Sequence, residues 1–154
     1  MSKKVLILSG SPRKGGNSDL LCDEFAKGAT EAGHNVEKIH VSEKNIHPCI
    51  ACYHCSKNSG ACVFKDDMAE ILQKMIDADV LVLASPVYFY SIDAQLKAVI
   101  DRLAQYHSRS WYIHYGLRVL LRSSKICCRQ NYRREERFQL VLEKCQLKIL
   151  LRRM

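Results

Sequence analysis

Four cysteines lie within fourteen positions of one another, at Cys49, Cys52, Cys55 and Cys62. The first three follow the C-x2-C-x2-C spacing of ferredoxin-type [4Fe–4S] runs, and the six-residue interval before Cys62 contains Gly60, which lets a fourth thiolate close the same site. Zinc is the competing metal, although structural zinc usually takes its ligands as two separated C-x-x-C pairs. A metal-free redox loop also stays open. The spacing predicts a thiolate site, with an iron-sulfur cluster as the favoured occupant.

The eight cysteines of the chain are not expected to form a disulfide framework. A secretory signal needs about 7 to 15 consecutive apolar residues, whereas the apolar run at residues 5–8 has four. No run approaches the ~20 apolar residues that span a bilayer. We therefore expect a cytoplasmic protein without a membrane span, whose cysteines serve metal or redox chemistry or are incidental.

A glycine-rich turn follows the first apolar run. Residues 10–18 read Gly-Ser-Pro-Arg-Lys-Gly-Gly-Asn-Ser. A P-loop needs Lys and Ser or Thr after its second glycine, and a dinucleotide fingerprint needs G-x-G-x-x-G, so neither motif matches. Hydroxyls, an amide and an arginine at the start of a helix suit a terminal phosphomonoester, such as that of FMN. The alternative is an ordinary polar turn between a strand and a helix.

A second turn, at residues 85–91, follows the next apolar run. Pro86 would stiffen it, and Tyr88, Phe89 and Tyr90 would provide aromatic walls for a flat ring system. Because parallel strands end at the same edge of a sheet, the two turns should face each other. The alternative is that these aromatic side chains only pack over helix ends.

The elements that must position these turns alternate between strand and helix. Continuous apolar runs at 5–8 and 80–84 predict strands buried on both faces, and the mixed run at 36–41 predicts an edge strand. Right-handed crossovers then give a parallel sheet in the order 2-1-3, within a doubly wound, three-layer αβα fold. The apolar positions of three predicted helices are Leu21, Phe25, Ala29 and Ala32; Ile71, Leu72, Met75 and Ile76; and Ile92, Leu96, Val99, Ile100 and Leu103.

Helix ends are predicted from cap residues. Asn17 or Ser18 is expected to cap the first helix and Gly33 to end it. Asp67 and Glu70 have the spacing of a capping box at the start of the second helix.

Together these segments resemble the NADPH-dependent FMN reductase and iron-sulfur flavoprotein family, which has a flavodoxin-like fold. The matching segments are residues 9–13, 16–18, 48–62, 66–68, 85–88 and 97–102, and the match runs from about residue 3 to residue 103. The combination is specific although each segment alone is weak.

The resemblance implies a flavin oxidoreductase. NAD(P)H or reduced ferredoxin would supply electrons to FMN, and a [4Fe–4S] cluster would pass them to a small-molecule or protein acceptor. A homo-oligomer is implied as well, with flavin sites near the subunit contacts. No catalytic acid or base is assigned, since Tyr88 and His54 are near the sites only in sequence. The implied FMN-binding residues are Ser9, Ser11, Arg13, Gly16, Asn17 and Ser18 around the phosphate, and Pro86, Val87, Tyr88 and Phe89 around the isoalloxazine.

The charge is divided unevenly along the chain. Residues 1–104 hold 12 Lys+Arg and 13 Asp+Glu, whereas residues 105–154 hold 12 and 3, so the net charge of +8 comes from the last third. We therefore divide the chain into a flavodoxin-like FMN-binding domain at 1–104, with its cysteine loop at 47–63, and an atypical basic tail at 105–154. A change of reading frame is the favoured explanation of the tail's composition.

Further expectations concern the structure and the function of the tail. The family pattern calls for another buried strand and a small-residue loop that finishes the flavin site. Residues 117–121 are the candidate strand, and Phe138, Leu142, Cys145 and Ile149 can form one face of a closing helix. A basic surface for nucleic acid or acidic lipid is less favoured, because no recognised nucleic-acid motif accompanies the charge. The rival to an enzyme is a non-catalytic family member that has lost stable FMN binding and keeps at most a metal-binding loop.

Overall fold

The structure is a computed structural model that describes residues 1–103 and the backbone of a strand at 148–151. A short 3-10 turn at Val41–Glu43 follows the second strand. The strands and helices are, in chain order, β1 (Lys4–Ser9), α1 (Asn17–Glu31), β2 (Asn35–His40), α2 (His54–Lys57), α3 (Met68–Asp77), β3 (Val80–Ala84), β4 (Val87–Tyr88), β5 (Ser91–Ile92), α4 (Ala94–Arg102) and β6 (Lys148–Leu151).

The central sheet has the order β2-β1-β3-β6. β1 pairs parallel with both β2 and β3, so the predicted order 2-1-3 is confirmed. β1 is buried along residues 5–9, as its continuous apolar run predicts, whereas β2 is only partly buried, as its mixed composition predicts. Because three strands run in parallel, β1 and β3 end at the same edge of the sheet.

Two apolar clusters lie on opposite faces of the sheet, since side chains alternate along a strand. Val5 and Ile7 pack with Cys22 and Phe25 of α1 on one face. The other cluster covers the opposite face with α3 and α4. Its buried members are Leu6, Leu8, Ile39, Val41, Met68, Ile71, Met75, Ala78, Leu83, Leu96, Val99 and Leu103. This arrangement confirms the predicted three-layer αβα fold.

The strand on the outer side of β3 differs from the expectation. β6 pairs antiparallel with β3, with Val80 opposite Leu151, so the closing helix predicted to include Ile149 is wrong at that position. A buried strand edge requires partners for its N–H and C=O groups, and the run at 148–151 supplies them. The rest of that predicted helix, the candidate strand at 117–121 and the remainder of the tail lie outside the described residues.

The helix starts were predicted less accurately than the helices themselves. Gly16 is the N-cap of α1, and Asn17 and Ser18 are already helical, so the predicted side-chain cap is wrong. The Asp67 carboxylate accepts a hydrogen bond from the Asn45 backbone N–H at 2.8 Å and makes no cap to α3, so the capping box is wrong too. Gly33, at φ 84°, follows the end of α1 as predicted. In the part of the chain that is described, no helix has the length and apolarity to cross a bilayer.

Candidate functional site

The two turns after β1 and β3 meet at one junction. The Gly10 backbone N–H donates a hydrogen bond to the Ala84 carbonyl oxygen at 2.8 Å. Directly behind Gly10 lies the carboxylate of Asp93, which is fully buried. A Cβ atom on residue 10 would lie 2.6 Å from Asp93 Oδ1 and 2.8 Å from its Cγ, well inside van der Waals contact. The close approach of the two turns therefore requires glycine at position 10.

Asp93 holds the second turn in place through hydrogen bonds to Ser85 and to the start of α4. Its Oδ1 accepts a hydrogen bond from the Leu96 backbone N–H at 2.8 Å and so caps α4. The Ser85 hydroxyl donates to Asp93 Oδ2 and accepts a hydrogen bond from the Asp93 N–H at 2.8 Å. No role was predicted for Asp93 from the sequence. Its position directly before an apolar helical pattern was the available signal for an N-cap.

The first turn brings the predicted phosphate-binding residues into one loop. Ser11 is buried, and its Oγ accepts a hydrogen bond from the Arg13 backbone N–H at 3.2 Å. The Arg13 side chain is exposed. Lys14 forms an exposed ion pair with Glu43. The remaining predicted residues flank this loop: Ser9 is the last residue of β1, Gly16 is the N-cap of α1, and Asn17 and Ser18 lie in its first turn.

Asp19, in the first turn of α1, stabilises this loop and was not predicted from the sequence. Its buried carboxylate accepts hydrogen bonds from the Gly15 N–H at 2.9 Å and from Lys38 Nζ at 3.0 Å. Burial alone would raise the pKa of Asp19, but the Gly15 N–H and Lys38 outweigh it and hold the pKa below its ordinary value. The His40 Nε2 atom lies 3.7 Å from the same carboxylate. Asp19 therefore stays ionised at neutral pH, and Lys38 offsets its charge at the start of α1.

The second turn is a hairpin, which was not predicted and which removes Ile92 from the predicted third helix. β4 and β5 pair antiparallel, and a two-residue turn of Phe89 and Tyr90 joins them. Both turn residues adopt left-handed backbone angles, with φ values of 43° and 64°. Such turns normally carry Asn-Gly, and a residue with a side chain costs roughly 1–2 kcal/mol in this region.

The side chains of this hairpin are presented to solvent. Phe89 is 96% and Tyr90 82% exposed, and their rings contact each other edge-on with centroids 5.8 Å apart. Tyr88 is about half exposed, whereas Pro86 and Val87 are partly buried beside the end of β3. The predicted ring-binding residues therefore share one hairpin next to the first turn. Of these, Phe89 stands at its tip.

The four loop cysteines line one cavity, together with Arg102 and apolar side chains that include Ile50, Tyr53, Val63 and Phe64. All four are free thiols; Cys49 and Cys52 are exposed, and Cys55 and Cys62 are partly buried. Within residues 1–103, no three His, Cys, Asp or Glu side chains are already converged on a metal position. The donor set nevertheless fits a thiolate-ligated group, because four sulfurs, apolar walls and a cation border the same space.

A buried ion pair lies at the base of this cavity. Arg102 and Asp66 are almost fully buried and form two parallel hydrogen bonds, from Nη1 to Oδ2 at 2.8 Å and from Nη2 to Oδ1 at 3.1 Å. Burial alone would raise the pKa of Asp66, but the Arg102 hydrogen bond lowers it below its ordinary value. Removing one partner of such a pair typically costs about 3–5 kcal/mol, since the other is left buried and unpaired.

The same pair ties both ends of the cysteine loop to α4. Arg102 Nη1 donates a second hydrogen bond, at 2.8 Å, to the His47 carbonyl oxygen, and the His47 N–H donates to Asp66 Oδ2 at 2.9 Å. The His47 ring stacks on Phe64 at 4.8 Å, and the Arg102 guanidinium lies 5.5 Å from the centre of the Phe64 ring. The segment between residues 47 and 66 is therefore closed at its base.

Comparison with known proteins identifies the family. The model of the NADPH-dependent FMN reductase family matches residues 3–121. The chain belongs to this family. The resemblance noted from the sequence is thus confirmed, and the flavodoxin-like fold is confirmed with it.

Several family members are iron-sulfur flavoproteins. One from Methanocaldococcus jannaschii is 46% identical over 99 residues, which cover 64% of this chain and 51% of that protein. One from Archaeoglobus fulgidus is 41% identical over 106 residues, covering 69% of this chain and 48% of that protein. The chain therefore spans about half the length of the curated relatives it matches.

Solved structures agree on the fold. An NAD(P)H:quinone oxidoreductase from Methanothermobacter marburgensis superposes with a TM-score of 0.58 at 24% identity, covering 67% of this chain and 53% of that one. A flavone reductase superposes with a TM-score of 0.54 at 28% identity, covering 75% of this chain and 35% of that one.

Proposed function

We propose that this chain is a cytoplasmic, homo-oligomeric FMN-dependent oxidoreductase. It takes electrons from NAD(P)H or a reduced ferredoxin and passes them, through a [4Fe–4S] cluster, to a small-molecule or protein acceptor. The observation that carries the proposal is the junction of Gly10 with Ala84, which joins the two turns at the carboxyl edge of a parallel sheet. That edge is where open α/β sheets bind nucleotides.

The first turn supports phosphate binding. Arg13 is exposed and forms no ion pair with the described residues, whereas Lys14 pairs with Glu43 at the surface. The start of α1 adds backbone N–H groups and the positive end of the helix dipole. Because Asp19 occupies the Gly15 N–H, we assign the phosphate to Arg13, the Ser11 and Ser18 hydroxyls and the Asn17 amide, with Ser9 and Gly16 shaping the floor.

The hairpin supports ring binding. Pro86 and Val87 offer a partly buried apolar surface beside the first turn, and Tyr88 is half exposed next to them. Phe89 extends this surface from the tip. Two aromatic residues adopt left-handed backbone conformations, where Asn-Gly would cost less, and strain of this kind clusters at ligand-binding sites.

The cysteine loop supports a cluster. Cys49, Cys52, Cys55 and Cys62 would hold it, and the Arg102–Asp66 pair would keep the loop closed around it. When bound, FMN exchanges electron pairs with nicotinamides and single electrons with iron-sulfur centres, while the protein sets binding and orientation.

One observation favours a second candidate. The outer edge of β3 is taken by an antiparallel strand, β6, whereas the family pattern calls for a further buried strand followed by a flavin loop. A chain in which β6 replaces those elements would be a non-catalytic family member with at most a metal-binding loop. Flavin affinity separates the two candidates.

Titration of FMN into the purified full-length chain, followed by quenching of flavin fluorescence, tests the proposal. We expect saturable binding of one FMN per chain. Arg13→Ala removes a charge-assisted hydrogen bond worth about 1.5–3 kcal/mol, so FMN should bind roughly 10 to 150 times more weakly.

Lys27→Ala is the matched control, because Lys27 is an exposed cation of α1, the helix that follows the loop of Arg13. Its FMN affinity should equal that of the unmodified chain. No saturable binding to the unmodified chain would support the non-catalytic alternative. Equal losses in both variants would show that Arg13 acts only through overall charge.

A further inference from the structure

Arg102 has one hydrogen-bond donor that the ion pair does not use. Nη1 and Nη2 serve Asp66 and the His47 carbonyl oxygen. The Nε–H group is buried and has no hydrogen-bond partner among the described residues. A buried donor without an acceptor costs about 1–3 kcal/mol, so its retention calls for an explanation.

The surroundings of Arg102 narrow the choice of acceptor. The residue lines the same cavity as Cys49, Cys52, Cys55 and Cys62. The other cavity-lining residues contribute mainly apolar or aromatic surface, in Ile50, Val63 and Phe64. Sulfur atoms are therefore the most numerous hydrogen-bond acceptors among the side chains that line the cavity. A thiolate or cluster sulfide accepts hydrogen bonds from N–H groups.

The rigidity of the arginine fits such a role. Its guanidinium is fixed on both sides, by two hydrogen bonds to Asp66 and by the Phe64 ring at 5.5 Å. The side chain is 3% exposed, so solvent does not compete for its Nε–H group. Because the Asp66 carboxylate offsets the charge of Arg102, it is this fixed Nε–H dipole that would stabilise the negative charge that the four sulfurs bring to a bound metal group.

We propose that Arg102 is a positioning residue of the cysteine site: its Nε–H donates a hydrogen bond to a sulfur of the metal-bound thiolate group and thereby raises the reduction potential of that group. The inference rests on the proposed metal-binding role of the four cysteines. Hydrogen bonds and positive charge near the sulfurs favour the reduced, more negative form of an iron-sulfur centre. Loss of Arg102 should therefore lower the potential.

The hydrogen bond can be tested without iron and without any variant. We would load the full-length chain with ¹¹³Cd²⁺, a soft cation that selects thiolates, and search by NMR for a through-bond correlation between cadmium and the Arg102 Hε proton. The expected result is one correlation, transmitted through an N–H···S hydrogen bond. Cadmium bound by the four cysteines without this correlation would overturn the proposal.

Arg102→Lys tests the positioning role, because it keeps a cation but removes the Nε–H. Cadmium affinity should fall about 10- to 100-fold, the usual effect of losing a partner of a metal ligand. In the iron-loaded protein the midpoint potential should move to a more negative value. Lys97→Ala is the control: it removes an exposed cation of α4 that pairs with Asp101, and neither quantity should change.

Folding of the variants is controlled separately. If Arg102→Lys does not fold, the paired replacement of Asp66→Asn with Arg102→Met avoids an unpaired buried charge and leaves no N–H group at the Nε position. It should show the same loss of affinity and the same direction of potential shift. Unchanged affinity and potential in a folded variant would overturn the proposal. Failure of the unmodified chain to bind either metal would overturn it together with the cluster, whereas the FMN titration decides the flavin site independently.

Discussion

Substitution of Gly10 is predicted to separate the two turns that form the candidate flavin site. In Gly10→Ala the new Cβ would collide with the Asp93 carboxylate, at 2.6 Å from Oδ1. Asp93 cannot move aside freely, because it is fully buried and caps α4 through the Leu96 N–H at 2.8 Å. Overpacking costs about 1–3 kcal/mol and loss of a cap about 0.5–2 kcal/mol. We expect the free energy of unfolding to fall by about 1.5–5 kcal/mol.

Gly28 provides a control of opposite sign. It lies inside α1, and a Cβ atom there meets nothing within 4 Å. Gly28→Ala should therefore raise the free energy of unfolding by about 0.5–1 kcal/mol, the usual gain for replacing a helical glycine. Urea denaturation followed by circular dichroism measures both variants against the unmodified chain.

The close approach of Gly10 and Asp93 is refuted by one result. If Gly10→Ala is within about 0.5 kcal/mol of the unmodified chain, the measured surface-mutation range, the argument from close approach is wrong. If it does not fold, the second change Asp93→Ser shortens the opposing side chain while keeping an N-cap residue. The double variant should then recover part of the lost stability.

Three further predictions follow from single features of the structure. The pKa values of Asp19 and Asp66 are lowered in the fold. Their contribution to stability is therefore complete above about pH 4 and is lost as the pH falls through the folded values. In acid unfolding experiments, the free energy of unfolding should drop less over that range in Asp19→Asn than in the unmodified chain. Replacing Phe89 and Tyr90 by Asn-Gly should raise the free energy of unfolding by about 1 kcal/mol or more while weakening FMN binding in the same titration, and an unchanged FMN affinity would show that the tip does not touch the ring. Burial raises the pKa of the Cys22 thiol to about 11, so mass spectrometry after alkylation of the native, metal-free chain at pH 8 should find the loop cysteines modified and Cys22 unmodified until urea is added.

The sequence was most informative where hydrophobic pattern alone decides structure. Residues 5–8 and 80–84 are continuous apolar runs, and burial on both faces of a parallel sheet is what such runs indicate. Strand ends then place the two turns, because parallel strands share an edge. The order of three strands and the three-layer fold followed from these few positions.

Details that depend on specific side-chain partners could not be read in the same way. Asp67 has the spacing of a helix cap, but the Asn45 N–H, more than twenty positions earlier, takes its carboxylate. Phe89 and Tyr90 lack every turn signal, so the hairpin between β4 and β5 was not predicted. Tertiary contacts and retained strain override local preference at such positions.

The Arg102–Asp66 pair shows the same limit at the cysteine site. The residues are 36 positions apart, and neither lies within the spacing pattern of the cysteines. Only the packing of α4 against the loop brings them together, and only their burial distinguishes them from surface charges. The cysteine spacing therefore predicted the donors of the site but not the residues that hold them.

Cofactor analysis of the full-length chain, purified without oxygen, tests the central claim most directly. The visible spectrum, FMN, iron and acid-labile sulfide are to be measured on one sample. The account predicts one FMN and about four irons per chain, with flavin and charge-transfer absorption together. FMN without iron would contradict the cluster, and a colourless protein that takes up neither added FMN nor iron would contradict the oxidoreductase altogether.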